Sequence, residues 1–312
     1  MLSRTADNLF WTARYMERAD YLARILDSAQ RLSAMPAAYG GQNLWESVIA
    51  SAGAGQMFYA KHEQATDRTV RDFLAFDPGN PSSIYSCLAT ARANGRAVRT
   101  ALTTEMWECL NDAWHQLQDM ETSRAGREAF TRFLEWVEQL TLQFDGSARR
   151  TMLRNDSYWF LRLGGAVERA DNTARILDVK YHLLLPEREP VGGGLDHFQW
   201  TTILREVSAL TAYHWVYRDR VKPWLVADLL ILNPQMPRSL ASCYEVTVRH
   251  LDLLAEAYGK AGQSQRLAHQ VRSHLASARI EDVFQSGLHE FITDFLADNA
   301  RVTAAIAEQY LV

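Results

Sequence analysis

The chain has 312 residues, 47% of them hydrophobic and 22% charged, with only 16 glycines and 8 prolines. That composition supplies a packed core and few turn-formers, as long helices require. A formal net charge of −4 excludes a general basic field for nucleic acid or anionic lipid.

Apolar residues recur at helical spacing from the start of the chain. Ser3 or Asp7 is placed to cap a first helix reaching about Ser33, with Leu9, Met16, Ala19, Ala23 and Leu26 on one face. The loop from Ala34 to Gly41 ends it. Further helices are predicted over Leu44–Ala60, Asp67–Phe76, Ser82–Thr103, Glu105–Leu117 and Ala125–Arg149, the Ser82 helix starting after Pro81. A second series follows over 152–185, 196–217, 222–232, 238–260, 263–279 and 281–309. The stretch from Pro186 to Gly194 is the longest irregular one. Its Gly192-Gly193-Gly194 run is linker chemistry without the Lys-Ser/Thr of a phosphate loop. No alternating strand pattern is present.

The two series share sequence. Glu17-Arg18-Ala19-Asp20-x-x-Ala23-Arg24-Ile25-Leu26-Asp27 returns as Glu168-Arg169-Ala170-Asp171-x-x-Ala174-Arg175-Ile176-Leu177-Asp178, with nine of eleven positions identical at an offset of 151. Met1-Leu2 and Met152-Leu153 extend the match upstream. Trp45 corresponds to Trp200, and Pro81-Ser82-Ser83 to Pro237-Arg238-Ser239, in the same order. The expected architecture is therefore all-α: a helical bundle built from two diverged copies of a six-helix unit with pseudo-twofold symmetry. Residues 1–150 form the first copy and 151–312 the second, packed together as one compact unit.

The repeated acids and arginines carry the chemistry. Glu17, Asp20 and Arg24 fall on one helix face with Arg14 close by, and Glu168, Asp171 and Arg175 repeat the pattern. An ordinary solvated face would gain only about 0.2–0.5 kcal/mol per i,i+4 pair. Such a face should have drifted like its neighbour, yet none of the thirteen positions from Arg4 to Met16 matches Asn155 to Val167. Two demands explain the retention. The motif helices could meet near the pseudo-twofold, with charge-assisted bonds from arginines to Glu17 and Glu168. Alternatively, Arg14, Arg18, Arg24, Arg169 and Arg175 could hold a carboxylate or phosphate. Ser82, Ser83 and Ser239 lie where helices begin. There they either cap backbone N–H groups or, with Arg238, bind an anion. A basic side is expected on the helix carrying Arg92, Asn94, Arg96 and Arg99.

Other chemistries find little material. No His stands three residues after either glutamate and no His-Glu-x-x-His occurs, so no metal and no cofactor are expected. The three cysteines, Cys87, Cys109 and Cys243, lack metal spacing and read as reduced core thiols. Seven of the tryptophans, among them Trp11, Trp200 and Trp224, lie in amphipathic patterns and read as core. The first residues lack the apolar core of a secretory signal, and no apolar run spans a membrane, which points to the cytoplasm.

Met1-Leu2-Ser3-Arg4, Phe10-Trp11-x-x-Arg14-Tyr15-x-Glu17-Arg18-Ala19-Asp20, Asn80-Pro81-Ser82-Ser83-Ile84, Pro237-Arg238-Ser239 and Glu168-Arg169-Ala170-Asp171 together resemble the bacterial Alpha-E family. The resemblance spans essentially the whole chain. It implies an all-helical domain of unknown function whose genes neighbour a circularly permuted ATP-grasp protein and a transglutaminase-like protein. It carries over Glu17, Arg18, Glu168 and Arg169 as signature positions and no catalytic residue. The expected role is an accessory or binding subunit of an ATP-grasp-type amide or peptide ligase system, more than an enzyme acting alone. The alternatives are an enzyme for a charged amino-acid or peptide substrate at a Glu/Arg-lined cleft, with Glu17 or Glu168 as general base, and a self-associating, homo-oligomeric scaffold without catalysis.

Overall fold

A computed structural model describes residues 3–33, 44–120, 126–182 and 193–311. Met1-Leu2, the loop at Ala34 to Gly41 and most of the stretch from Pro186 to Gly194 lie outside the described residues. Within them the chain is helical and no strand occurs. The first part runs α1 Ser3–Ser33, α2 Leu44–Ser51, α3 Gly55–Tyr59, α4 Asp67–Arg71, α5 Ile84–Ala97, α6 Thr104–Asp119 and α7 Arg127–Thr151. The second runs α8 Asp156–His182, α9 Gly194–Glu206, α10 Leu210–Tyr217, α11 Pro223–Ile231, α12 Leu240–Tyr258, α13 Gln263–Ser277, α14 Ile280–Ser286 and α15 Leu288–Ile306. Short π-helical turns cover Asp72–Phe76 and Ala307–Leu311.

The two helices that carry the repeated segment, α1 and α8, form the most extensive contact in the molecule. Around them, α1 lies on α5 and α7, and α6 bridges those two; α8 lies on α12 and α15, and α13 bridges those. The short helices cross over: α2 reaches α8, and α9 reaches α1. Enclosed in this way, α1 is buried on nearly every side, from Leu9 and Phe10 through Leu22 and Ala23 to Leu32. The single apolar stripe expected from the sequence is thus too narrow. A helix this enclosed needs no polar face. Gly164 permits the closest approach, since a Cβ there would stand 2.0 Å from the carbonyl oxygen of Phe10.

Three predicted helices are each two. The span 44–60 breaks at Gly53 (φ 63°), 196–217 at Ser208 (φ 54°) and 281–309 at Gly287 (φ 104°). A left-handed residue cannot continue a right-handed helix, so the six-helix count does not hold among the described residues. The first two breaks have the same backbone bonding. Gly53 N–H donates to Ala50 and Ala54 N–H to Ile49; Ser208 N–H donates to Arg205 and Ala209 N–H to Leu204.

The helix starts also differ slightly from the sequence reading. Asp7 lies inside α1 and caps nothing there. Ser82 stands one residue before the N-cap of α5, which is Ser83. Gly194 is the first residue of α9. All three cysteines are buried thiols, as read. Among the tryptophans Trp200 is buried and Trp11 half-buried, but Trp224 is 48% exposed.

Candidate functional site

The repeated acids and arginines meet where α1 crosses α8, and they pair across the crossing. Glu17 on α1 accepts both arms of Arg169 on α8, Nε at 2.8 Å and Nη2 at 2.7 Å. Glu168 on α8 accepts Arg18 Nε at 2.6 Å and Arg14 Nε at 2.7 Å, both from α1. Each Glu-Arg dipeptide therefore donates its arginine to the other's glutamate. Helical spacing makes this exchange possible: adjacent residues point about 100° apart, so a Glu and the following Arg cannot pair with each other. Across a tight antiparallel or crossing contact, each finds the other's partner.

A second layer surrounds Glu17. Arg238, just before α12, donates to Glu17 at 3.2 Å and to Asp20 at 2.7 Å. Asp20 also accepts Arg24 Nε at 2.9 Å and the Thr141 hydroxyl at 3.1 Å. Arg24 continues to Glu138 at 3.3 Å and to the Ser208 hydroxyl at 2.9 Å, so it grips the left-handed turn between α9 and α10. Arg175 lies against the matching turn between α2 and α3: its Nη1 would be 2.8 Å from a Cβ at Gly53. Arg175 holds Asp171 at 2.6 Å on a half-exposed face, away from Glu168.

The network is buried, with Glu168 at 2% and Asp20 at 3% exposure, which overturns the solvated-face reading. Burial would raise the Glu168 carboxyl, but Arg18 and then Arg14 outweigh it and hold it below the usual carboxylate range. Burial likewise opposes ionisation of Asp20, and Arg238 and Arg24 overcome it. Both carboxylates are thus anions locked by guanidinium groups.

The serines divide by role. Ser83 caps α5, accepting Ser86 N–H at 3.1 Å and donating to the Asp77 carbonyl at 2.8 Å. Ser239 caps α12 in the same way, accepting Ser242 N–H at 3.0 Å and donating to the Asn233 carbonyl at 2.6 Å. Both hydroxyls are consumed by the backbone. Ser82 instead accepts Arg18 Nη1 at 3.2 Å. Arg238 points to carboxylates of the chain itself. The structure gives the charges of the residues singled out in the sequence to one another. The expected basic side is partly engaged: on α5 Arg92 donates to Asn111 at 3.0 Å, and Arg99, in the 3-10 turn Arg99–Ala101 that follows α5, lies over Trp107.

Two features escaped the sequence. One is a cavity of about 310 Å³ between α1, α7 and α9, lined by Arg24, Asp27, Arg31, Glu138 and Glu206. Burial raises the Glu206 carboxyl to about 7, a Ser28 hydrogen bond opposes this, and Asp27 adds to it. Glu206 belongs to no repeat, and only its place beside Asp27 marks it. The other is the pairing of Asp145 on α7 with Arg149 and Arg162. Among the described residues no cluster of three or more His, Cys, Asp or Glu is placed to hold a metal ion, and no helix is long and apolar enough to cross a membrane.

Fold and site together define an all-helical domain clasped by exchanged Glu-Arg pairs. The model of the Alpha-E family, described as a predicted alpha-helical domain with a conserved ER motif, matches residues 1–311, and the chain belongs to that family. It is similar to an uncharacterized protein of Mycobacterium bovis and to two of Mycobacterium tuberculosis, each 23% identical over 320 residues. The match covers 94% of this chain and 35% of each relative, so the chain spans about a third of the length of these relatives. No solved structure matches.

Proposed function

We propose that the chain is a non-catalytic binding subunit of an ATP-grasp-type amide or peptide ligase system, made of two diverged copies of one helical unit held together by the Glu-Arg exchange. One observation carries the non-catalytic reading: every oxygen of Glu17 and Glu168 is bonded to an arginine of the chain itself. A carboxylate whose oxygens are all taken up by the chain's own arginines has none left to receive a guest. The duplication is supported by the matching caps at Ser83 and Ser239 and the matching turns at Gly53 and Ser208. A module that joins a larger assembly is in keeping with relatives that carry this region within a much longer polypeptide. The ligase partner rests on the family resemblance. The test is affinity capture of the tagged chain from its native cell, with recovery of an ATP-grasp-type protein in a stable complex as the expected result. Absence of such a protein under mild conditions, or amide-bond formation by the purified chain alone, would overturn the reading.

A second reading is favoured by Glu206. A carboxyl that titrates near neutrality beside Arg24 and Arg31 in a cavity has the properties of a general base for a charged amino-acid or peptide substrate. Stabilisation of the chain by such compounds in a thermal melt, lost in Glu206→Gln, is the result this reading expects. No stabilisation by any charged amino acid or dipeptide removes it.

A further inference from the structure

A groove of about 670 Å³ opens where the end of α7, the start of α8 and α12 converge, with Arg169 in its wall. Its size suits a small-molecule ligand. Five arginines line it, Arg149, Arg154, Arg162, Arg169 and Arg249, together with His250 and no carboxylate-bearing side chain. Such a concentration of positive charge is unusual on a chain whose net charge is −4. Arg149 and Arg162 share Asp145, and Arg169 is held by Glu17. These three are therefore fixed in place, with their charge only partly answered. Arg154 and Arg249 are exposed, and among the described residues neither forms an ion pair. Glu245 and Asp252 stand one turn to either side of Arg249 on α12, but Glu245 makes no ion pair among the described residues and Asp252 pairs with His269.

The groove also has an aromatic wall. The Arg154 guanidinium stacks 4.1 Å above the ring of buried Tyr158, and Trp159 lies beside it, partly buried. Arginine presents several donors in a planar fork that suits phosphate oxygens, and stacking on an aromatic ring sets the plane of that fork in advance. His250 registers the local field. Burial first, then Arg162, Arg249 and Arg154, lower its pKa to about 4, although its hydrogen bond to the Val246 carbonyl opposes the change. It is therefore neutral at physiological pH and adds no charge of its own.

We propose that this groove binds a phosphorylated small molecule, its phosphates received by Arg154, Arg249 and the outer edges of Arg149 and Arg162, with Trp159 as a shelf for any attached ring. The clustered guanidinium groups repel one another, and Arg154 and Arg249 pair with no carboxylate among the described residues, so a multivalent phosphate lowers both costs. The site is independent of partner binding and of the Glu206 cavity.

Titration calorimetry on the full chain tests it with tripolyphosphate, ATP and citrate as probes, and with the variants Arg249→Ala and Arg154→Ala/Arg249→Ala. Tripolyphosphate is expected to bind at one site, and each alanine to weaken it by about tenfold. Neither arginine holds a carboxylate, so both variants should fold and their circular dichroism should match the parent. Tighter binding of ATP than of tripolyphosphate would assign the aromatic shelf to a nucleotide ring; equal binding would assign the phosphate chain alone. Citrate binding as tightly as tripolyphosphate, binding undiminished in the double variant, or no heat at about 1 mM tripolyphosphate would each overturn the proposal.

Discussion

Glu168 is an anion at 2% exposure, and it is tolerable only because Arg14 and Arg18 both reach it. Replacing it with Gln keeps its shape and leaves two buried guanidinium groups without a counter-charge. The expected loss is about 3–5 kcal/mol, read from the urea midpoint at constant slope. Asp171→Asn removes a similar i,i+4 partner from a half-exposed pair, and its expected loss is below about 1 kcal/mol. Equal effects in the two variants would mean that burial does not set the cost. The sign of the pH dependence follows from the same contacts. The carboxyls of Glu168 and Asp20 are depressed in the fold, so their stabilisation is present above the unfolded carboxylate range, about pH 4, and is lost as pH falls below it. The acid limb of a melting profile should therefore be shallower in Glu168→Gln than in the parent. Glu206 has the opposite sign. Its carboxyl is raised to about 7, so the protonated form favours folding and stability declines as pH climbs from about 4 towards 7. Glu206→Gln should flatten that decline.

Between elements, the contact of α1 with α8 is limited by backbone approach. A methyl group at Gly164 would meet the Phe10 carbonyl, so Gly164→Ala must push the two helices apart, at an expected cost of about 1–3 kcal/mol. Its neighbour is the control. A Cβ at Gly165 would have only the Ala13 methyl nearby, at 4.0 Å, so Gly165→Ala should be neutral or stabilising by up to about 1 kcal/mol through helix propensity. Thermal melts of the two single variants compare them directly. Elements were largely legible in the sequence where periodicity ran unbroken, as in α1, α6, α7 and α12. They were less so where one residue turned left-handed. Gly53 and Ser208 sit inside apolar patterns that read as continuous helices, and nothing local to Ser208 demands a positive φ. Arg24, donating to its hydroxyl from another helix, helps to hold that turn.

At the scale of the molecule, the two halves share their most buried charges. Arg169 completes Glu17, and Arg18 completes Glu168, so neither site is satisfied within its own half. Separate unfolding of one half would leave buried ions exposed or unpaired in the other. A single cooperative transition in urea is therefore expected, with tryptophan fluorescence and far-ultraviolet circular dichroism coinciding. Two separated transitions would show that the halves are stable without the exchange. The double variant Glu17→Gln/Glu168→Gln should depart from the sum of its singles, because both glutamates serve one interface.

By itself the sequence determined that the chain is helical, that its two halves repeat a charged segment, and that Glu17, Arg18, Glu168 and Arg169 belong to something more than a solvated face. These conclusions follow from periodicity and from identity between two stretches of one chain, and both are local properties of residue order. Only the tertiary structure decided the pairing. Sequence spacing placed Arg14 with Glu17, whereas the fold gives Arg14 to Glu168 and brings Arg238 to Glu17 from some 220 positions away. Nor could spacing place Glu206 beside Asp27, or gather Arg149, Arg154 and Arg249 around one groove. A charge's partner depends on distance and on the water excluded around it, and both are fixed only when separate helices pack.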